Sequence, residues 1–273
     1  MDVSLNDSLN DSLNDSLNIS GAIGVSILER NKYKVIVFSD NHASNTYCYK
    51  DSLKISKFLE KKAEKHIVLL EEVPRDYRKG ISQIFFAEHT ELLKELSINN
   101  KKIISVDIRP LLLEFSWELI TVKTRDKYNK SLEEYLKNVI KFTNYKIEDE
   151  ELRVYFEEIK NKINIFLETN KAHLSSLLVD IVLEERINLE PINDIIIDIM
   201  DFNIIRIILK LIKDDIKSED KHIYLHAGLY HTQNINKRLL LLGFEKKYHY
   251  GTTTMKYNIN NTSCVKLNLS QKI

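Results

Sequence analysis

Four short apolar runs, Val35–Phe38, Ile67–Leu70, Ile103–Val106 and Ile223–Leu225, constrain the fold of this 273-residue chain more than any other feature. Each has the length of a buried strand and is bounded by polar residues. Helical patterns separate the first three. Ile55, Phe58, Leu59 and Lys62 fall on adjacent turns of one, and Ile84, Phe85, Leu92 and Leu96 mark the other. Strands that alternate with helices need crossover connections, so the pattern predicts an α/β protein with a mostly parallel sheet flanked by helices.

Between residues 111 and 219 the periodicity becomes helical. Leu132, Leu136 and Val139 share one face, and Leu152, Phe156, Ile159 and Ile163 share another. This predicts a large all-helical insertion at 111–219 within an α/β core made of 21–110 and 220–273. Its most apolar stretch, 192–212, is interrupted by Asp198, Asp201, Arg206 and Lys210. Each of these would be costly at the middle of a bilayer. The stretch therefore reads as a buried helix opening at Pro191, not as a membrane span. A further helix is expected from Thr232, as N-cap, to Leu242, with Gly243 closing it. Val265–Leu269 suits a strand or an edge segment.

The first twenty residues repeat Ser-Leu-Asn-Asp from Ser4 onward, without the basic start and apolar run of a secretory signal. Ser, Asn and Asp are weak helix formers, so 1–20 is read as a low-complexity tail that carries no chemistry.

Composition removes several classes. Forty basic residues balance forty acidic ones, so no bulk field draws the chain to nucleic acid or anionic lipid. Six Gly and three Pro argue against turn-dense all-β folds. Cys48 and Cys264 are the only cysteines and form no CxxC pair, which predicts free thiols in a reduced, cytoplasmic protein. No pattern in the chain fixes an oligomeric state. There is no GxGxxG, GxxxxGK[ST] or GxSxG, and Glu88-His89-x-Glu91 lacks the second histidine of HExxH.

In open α/β sheets the ligand site lies beyond the carboxyl ends of the strands. Reading past each run gives Ser39-Asp40-Asn41-His42, then Glu71-Glu72, then Asp107-Ile108-Arg109, then His226-Ala227-Gly228-Leu229-Tyr230-His231. Asp40 and Asp107 also suit helix or turn caps, and Glu71 or Glu72 a surface charge before Pro74. A parallel sheet would nonetheless bring all of these segments to one edge. Neutral imidazole and carboxylate together suit Zn, Mn or Co better than Mg or Ca.

Ser39-x-x-His42 and Gly228-x-x-His231 resemble the paired GxxH motifs of TraB/Tiki proteins, within a wider group that includes ChaN-like and erythromycin-esterase-like proteins. Glu71 matches the family's glutamate after the second strand, with Glu72 as the other choice. Ser39 stands where the motif has glycine, and His226 is an additional imidazole. The resemblance covers about 35–75, 103–110 and 222–244 of this sequence. It implies an α/β fold with helical insertions. For the Tiki branch it implies a divalent-metal protease, and for the esterase branch hydrolysis assisted by His and Glu.

On that basis His42, Glu71 and His231 are the expected ligands of one divalent ion (Mn, Co or Zn), with His226 as a fourth ligand or a supporting partner. Asp40 or Glu72 would act as general base or orient an imidazole. Arg109 would pair with Asp107 or grip a substrate carboxylate. The expected substrate is a peptide or small ester, with no nucleic acid involved. Two other readings stay open. Asp40-Asn41-His42 also fits the D-x-H element of calcineurin-like metallophosphoesterases, although no GNH[DE] box accompanies it. A binding protein on the same fold, without catalysis, is the other.

Overall fold

The computed structural model describes residues 16–41, 48, 51–72, 102–113, 120–214, 222–255 and 264–268. Its strands are Ser16–Ser20 (β1), Gly24–Arg30 (β2), Tyr33–Asp40 (β3), Leu53–Lys54 (β4), Ile67–Leu70 (β5), Ile103–Ser105 (β6), His222–Gly228 (β7), Glu245–Gly251 (β8) and Cys264–Asn268 (β9). The α-helices are Ile55–Lys62 (α1), Arg109–Leu112 (α2), Leu132–Phe142 (α3), Arg153–Thr169 (α4), Leu178–Leu183 (α5), Glu190–Asp214 (α6) and Leu229–Leu241 (α7).

The main sheet has the order β6-β5-β7-β3-β2-β8. The first four strands run parallel, β2 pairs antiparallel with β3, and β8 pairs antiparallel with β2. These parallel strands are the four apolar runs read from the sequence, each now with its exact register. Strand β2 was not anticipated. It returns on β3 through a tight turn at Asn31, which takes a left-handed φ of 58°, a conformation Asn tolerates better than most residues. The mixed sheet thus matches the α/β expectation. Among the described residues no helix is long and apolar enough to cross a membrane.

Side-chain alternation divides the core in two. Val35, Val37, Leu69, Ile223 and Leu225 face a large cluster that includes Leu136, Ile159, Ile199, Phe202, Ile205 and Ile235 of the helices. Ile36, Phe38, Val68, Leu70 and Tyr224 face the other way, onto Phe58 and Leu59 of α1 and onto Ile19, Val265 and Leu267. The helices from α3 to α6 therefore share one continuous core with the sheet. Capping is explicit at α3, where Ser131 and Glu134 form a reciprocal capping box.

Three expectations are corrected. The end of the segment read as tail, Ser16–Ser20, which holds the last partial repeat copy Ser16-Leu17-Asn18, is not tail. It forms β1, central in a small β4-β1-β9 sheet, because Ile19 can be fully buried there beside Val265 and Leu267. Residues 1–15 lie outside the described residues. Cys48 and Cys264 are not free thiols but a disulfide spanning 216 residues. Pairing of β1 with β9 in the fold, invisible as a sequence motif, brings Cys264 to the partner. Cytoplasmic residence loses the support that free thiols gave it. Finally, the helix after β7 opens at Leu229 with Gly228 at its N-cap, so Thr232 is not the cap. The predicted helix around 81–96 lies outside the described residues.

Candidate active site

Four predicted residues meet at the carboxyl ends of β5, β6 and β7. Glu71 follows β5 directly and is buried. Its Oε2 accepts from the Gly228 backbone N–H at 2.5 Å, and its Oε1 accepts from Arg109 Nη2 at 2.8 Å. Asp107 follows β6 and grips Arg109 three times. Its Oδ1 accepts from Arg109 N at 3.0 Å and Nε at 2.9 Å, while Oδ2 accepts from Nη2 at 2.8 Å. Asp107 is thus both the local cap anticipated for an aspartate there and a charge partner. The remaining guanidinium nitrogen, Nη1, lies 3.2 Å from His231 Nε2.

His231 comes from the first turn of α7 and is 4% exposed. Its Nε2 lies 3.5 Å from Glu71 Oε1, and its Nδ1 lies 2.6 Å from Asp201 Oδ1. Asp201 is the member of this cluster that the sequence does not single out. It reads there as one of the charges that keep 192–212 out of a membrane, yet it is fully buried within α6. Its Oδ2 accepts from Asn234 Nδ2 at 3.1 Å. The available signal was its setting among Ile199, Met200, Phe202, Ile204 and Ile205, since a buried acid needs a partner.

Burial and charge oppose each other throughout this cluster. Burial works against the positive charge of Arg109, but Asp107 and Glu71 outweigh it and hold the guanidinium more firmly protonated than usual. Burial likewise works against a charge on His231. The Asp201 hydrogen bond and the Glu71 carboxylate overcome it, so the imidazole is shifted up. Burial also pushes the Asp201 carboxyl up, with the bonds from His231 and Asn234 acting the other way.

The other candidates sit elsewhere on the edge. Asp40 ends β3, in register with Gly228, and is buried. Glu72 is buried beside Glu71, and its carbonyl accepts from the Asp107 N–H at 3.0 Å. His226 departs from the expectation. The strand continues to Gly228 instead of ending at Leu225, so His226 lies inside the sheet, on the side of Tyr224, where its Nε2 donates to the Gly21 carbonyl at 3.4 Å. His231 and Glu71 belong to the opposite, helix-covered side. His42 lies outside the described residues.

Among the described residues no group of three or more His, Cys, Asp or Glu side chains is placed to hold a metal ion. Two expected ligands, Glu71 and His231, do converge, but a catalytic site takes three protein ligands, and Arg109 already contacts both. These residues alone do not fit a resident divalent ion, so no catalytic step below runs through one. No family model, no curated protein and no solved structure matches the chain.

Proposed function

We propose that the chain is a hydrolase of amide or ester bonds, acting on a peptide or small ester, as the TraB/Tiki resemblance implies. The supporting observation is the convergence of Glu71, Arg109 and His231 from three strand ends into one buried cluster at the sheet's carboxyl edge. When Arg109 Nη1 leaves His231 Nε2 for the substrate carbonyl oxygen, water attacks the carbonyl carbon as Nε2 takes its proton. The imidazolium then returns that proton to the departing amine or alkoxide. Arg109, with 28% of its side chain exposed, meets the negative charge that develops on the carbonyl oxygen. Glu71 and Asp107 hold the guanidinium in place for this. Asp40, at the end of β3, and Glu72, after β5, are the candidates for a general base or for orienting the imidazole. The helices between 111 and 219 act in this reading as an insertion over the functional rim.

The resemblance also implies a metal-dependent form of the same reaction, which the described residues do not fit by themselves and which would need His42 as a further ligand. His42, Glu71 and His231 would hold the ion (Mn, Co or Zn) once Arg109 withdraws from the last two. A bound ion would acidify water and polarise the carbonyl.

The test measures hydrolysis of p-nitrophenyl acetate and of a fluorogenic peptide mixture by the full chain, with and without chelator, beside metal analysis. Activity should fall on the order of a hundredfold or more in His231→Ala, in line with loss of a general base. Activity that survives chelation selects the metal-free form, and chelator-sensitive activity with bound metal selects the other. Hydrolysis of a phosphodiester alone would favour the phosphoesterase reading. Inactivity on all three substrates would leave the binding-protein reading.

A further inference from the structure

Hydrogen-bond logic at His231 goes beyond this reading and brings α6 into the site. A guanidinium has five N–H donors and no acceptor. For Arg109 Nη1 to bond His231 Nε2 at 3.2 Å, Nε2 must therefore present a lone pair. The proton of the neutral ring then resides on Nδ1, 2.6 Å from Asp201 Oδ1. Asp201 in turn is the acceptor, through Oδ1. Its second oxygen fits this, since Oδ2 accepts from the Asn234 amide at 3.1 Å. Asn234 lies three residues beyond His231 on α7, so the same helix that carries the ring also braces the carboxylate.

We infer that Asp201 is a positioning residue. Together with Arg109 on the other side of the ring, whose Nη1 donates to Nε2, it holds His231 as the Nδ1–H tautomer, so that the Nε2 lone pair is ready for a substrate water once Arg109 turns to the substrate oxygen. The arrangement has a chemical purpose in any reaction that uses His231 as a base. A neutral imidazole that is free to exchange tautomers spends part of its time with Nε2 already protonated, and then it cannot accept a proton there. A carboxylate behind Nδ1 removes that idle population and stabilises the imidazolium once Nε2 has taken its proton. The cost of burying Asp201 on the apolar face of α6 is explained on this basis. A leucine at 201 would pack in the same cluster, but it would leave the Nδ1 proton without an acceptor. The inference also gives the helices between the sheet strands a direct part in the site, through the one acid of α6 that is fully buried.

Its use in catalysis rests on the hydrolase reading, whereas the tautomer itself does not. The experiment is therefore spectroscopic first. Long-range proton–nitrogen correlation on full-length protein labelled with ¹⁵N-histidine, assigned by comparison with His231→Gln, reports which ring nitrogen carries the proton. The wild type should show Nδ1 protonated and Nε2 bare. Asp201→Asn, whose amide can donate to Nδ1, should move the proton to Nε2. In p-nitrophenyl acetate hydrolysis the same substitution should lower kcat on the order of a thousandfold or more, with KM little changed. Asp201→Glu should recover part of the Nδ1–H signal. A wild-type His231 protonated on Nε2 would overturn the inference without any variant, even if Asp201→Asn failed to fold. A folded Asp201→Asn protein that keeps the proton on Nδ1 would do the same. Wild-type protein with the expected tautomer but no hydrolysis of ester or peptide supports the positioning role and counts against the hydrolase reading alone.

Discussion

Arg109 Nη2 sits 2.8 Å from Glu71 Oε1, joining two strand ends that are 38 residues apart in sequence. Because Asp107 also binds the same guanidinium, one cation neutralises two buried carboxylates. Removing one partner of a buried pair costs more than the pair is worth, since the charge left behind has lost its solvation. Arg109→Met, which leaves both Glu71 and Asp107 unmatched, should therefore lower stability by about 3–5 kcal/mol. Arg109→Lys, which keeps the charge but not the planar fork, should cost less. Urea unfolding followed by circular dichroism measures both. A midpoint for Arg109→Met equal to wild type would show that the cluster is solvated and not a buried ion-pair network.

The Cys48–Cys264 bridge closes a loop of 216 residues and fastens the start of β9 to the segment that follows β3. A crosslink over so long a loop restricts the unfolded chain strongly. Its loss in Cys264→Ser should cost about 2–5 kcal/mol, and reductant should produce the same change in wild type. Thiol titration in denaturant should find no reactive cysteine before reduction and two after it. Two reactive thiols in untreated protein from an oxidising preparation would refute the pairing.

How far the sequence disclosed this molecule follows from the kind of signal each part carries. The parallel strands were legible because a strand buried on both faces must be apolar throughout, as Ile67–Leu70 is. Strand β2 was not, because Ser26 breaks its apolar run. In the fold that serine is buried and accepts from Asn236 Nδ2, so its polarity is satisfied by a distant helix. Strand β8 was equally hidden. It is a mostly exposed edge strand, and its Glu245-Lys246-Lys247 start reads as loop. Within the site, Glu71, Arg109 and His231 were found because strand ends of a parallel sheet converge. His226 was grouped with them through an end-of-strand estimate three residues short, and at a period of two that changes which face a residue occupies. The apolar neighbours of Asp201 point to burial but name no partner for it. Only the packing of α6 against α7 puts it behind His231.

At the opposite, amino-terminal edge of the sheet, His66 stacks on His222 with ring centroids 5.0 Å apart, and His66 Nδ1 accepts from the His222 backbone N–H. Burial, together with positive charge on His222, Lys62, Lys65 and Lys102, lowers the His66 pKa to about 4. The unfolded chain titrates near the ordinary value of about 6.5 and so binds more protons than the fold between these values. Stability should therefore fall as pH drops from about 6.5 to 4 and be flat, as far as this residue contributes, above that window. In His66→Gln the slope of unfolding free energy against pH over this range should shrink by the share of one proton. An unchanged slope would mean that His66 is protonated in the fold as readily as in the unfolded chain.

Ser39 provides a test of the family resemblance at the position where the chain departs from it. The GxxH motif has glycine there, yet Ser39 is an ordinary β3 residue, fully buried, with its Oγ 2.8 Å from Thr232 Oγ1. Thr232 donates its own proton to the Leu229 carbonyl, so Ser39 is the donor in this pair. The bond ties the end of β3 to the first turn of α7, next to His231. Ser39→Ala removes one neutral hydrogen bond but leaves Thr232 satisfied, which should cost about 0.5–1.5 kcal/mol. Ser39→Gly, the residue the motif calls for, should be worse by about a further 0.5–1 kcal/mol, because glycine in a strand loses more conformational freedom on folding. The expected order of urea midpoints is Ser, then Ala, then Gly. A Ser39→Gly protein more stable than wild type would show instead that the backbone at this position still demands glycine, and that the serine is tolerated there at a cost to the fold.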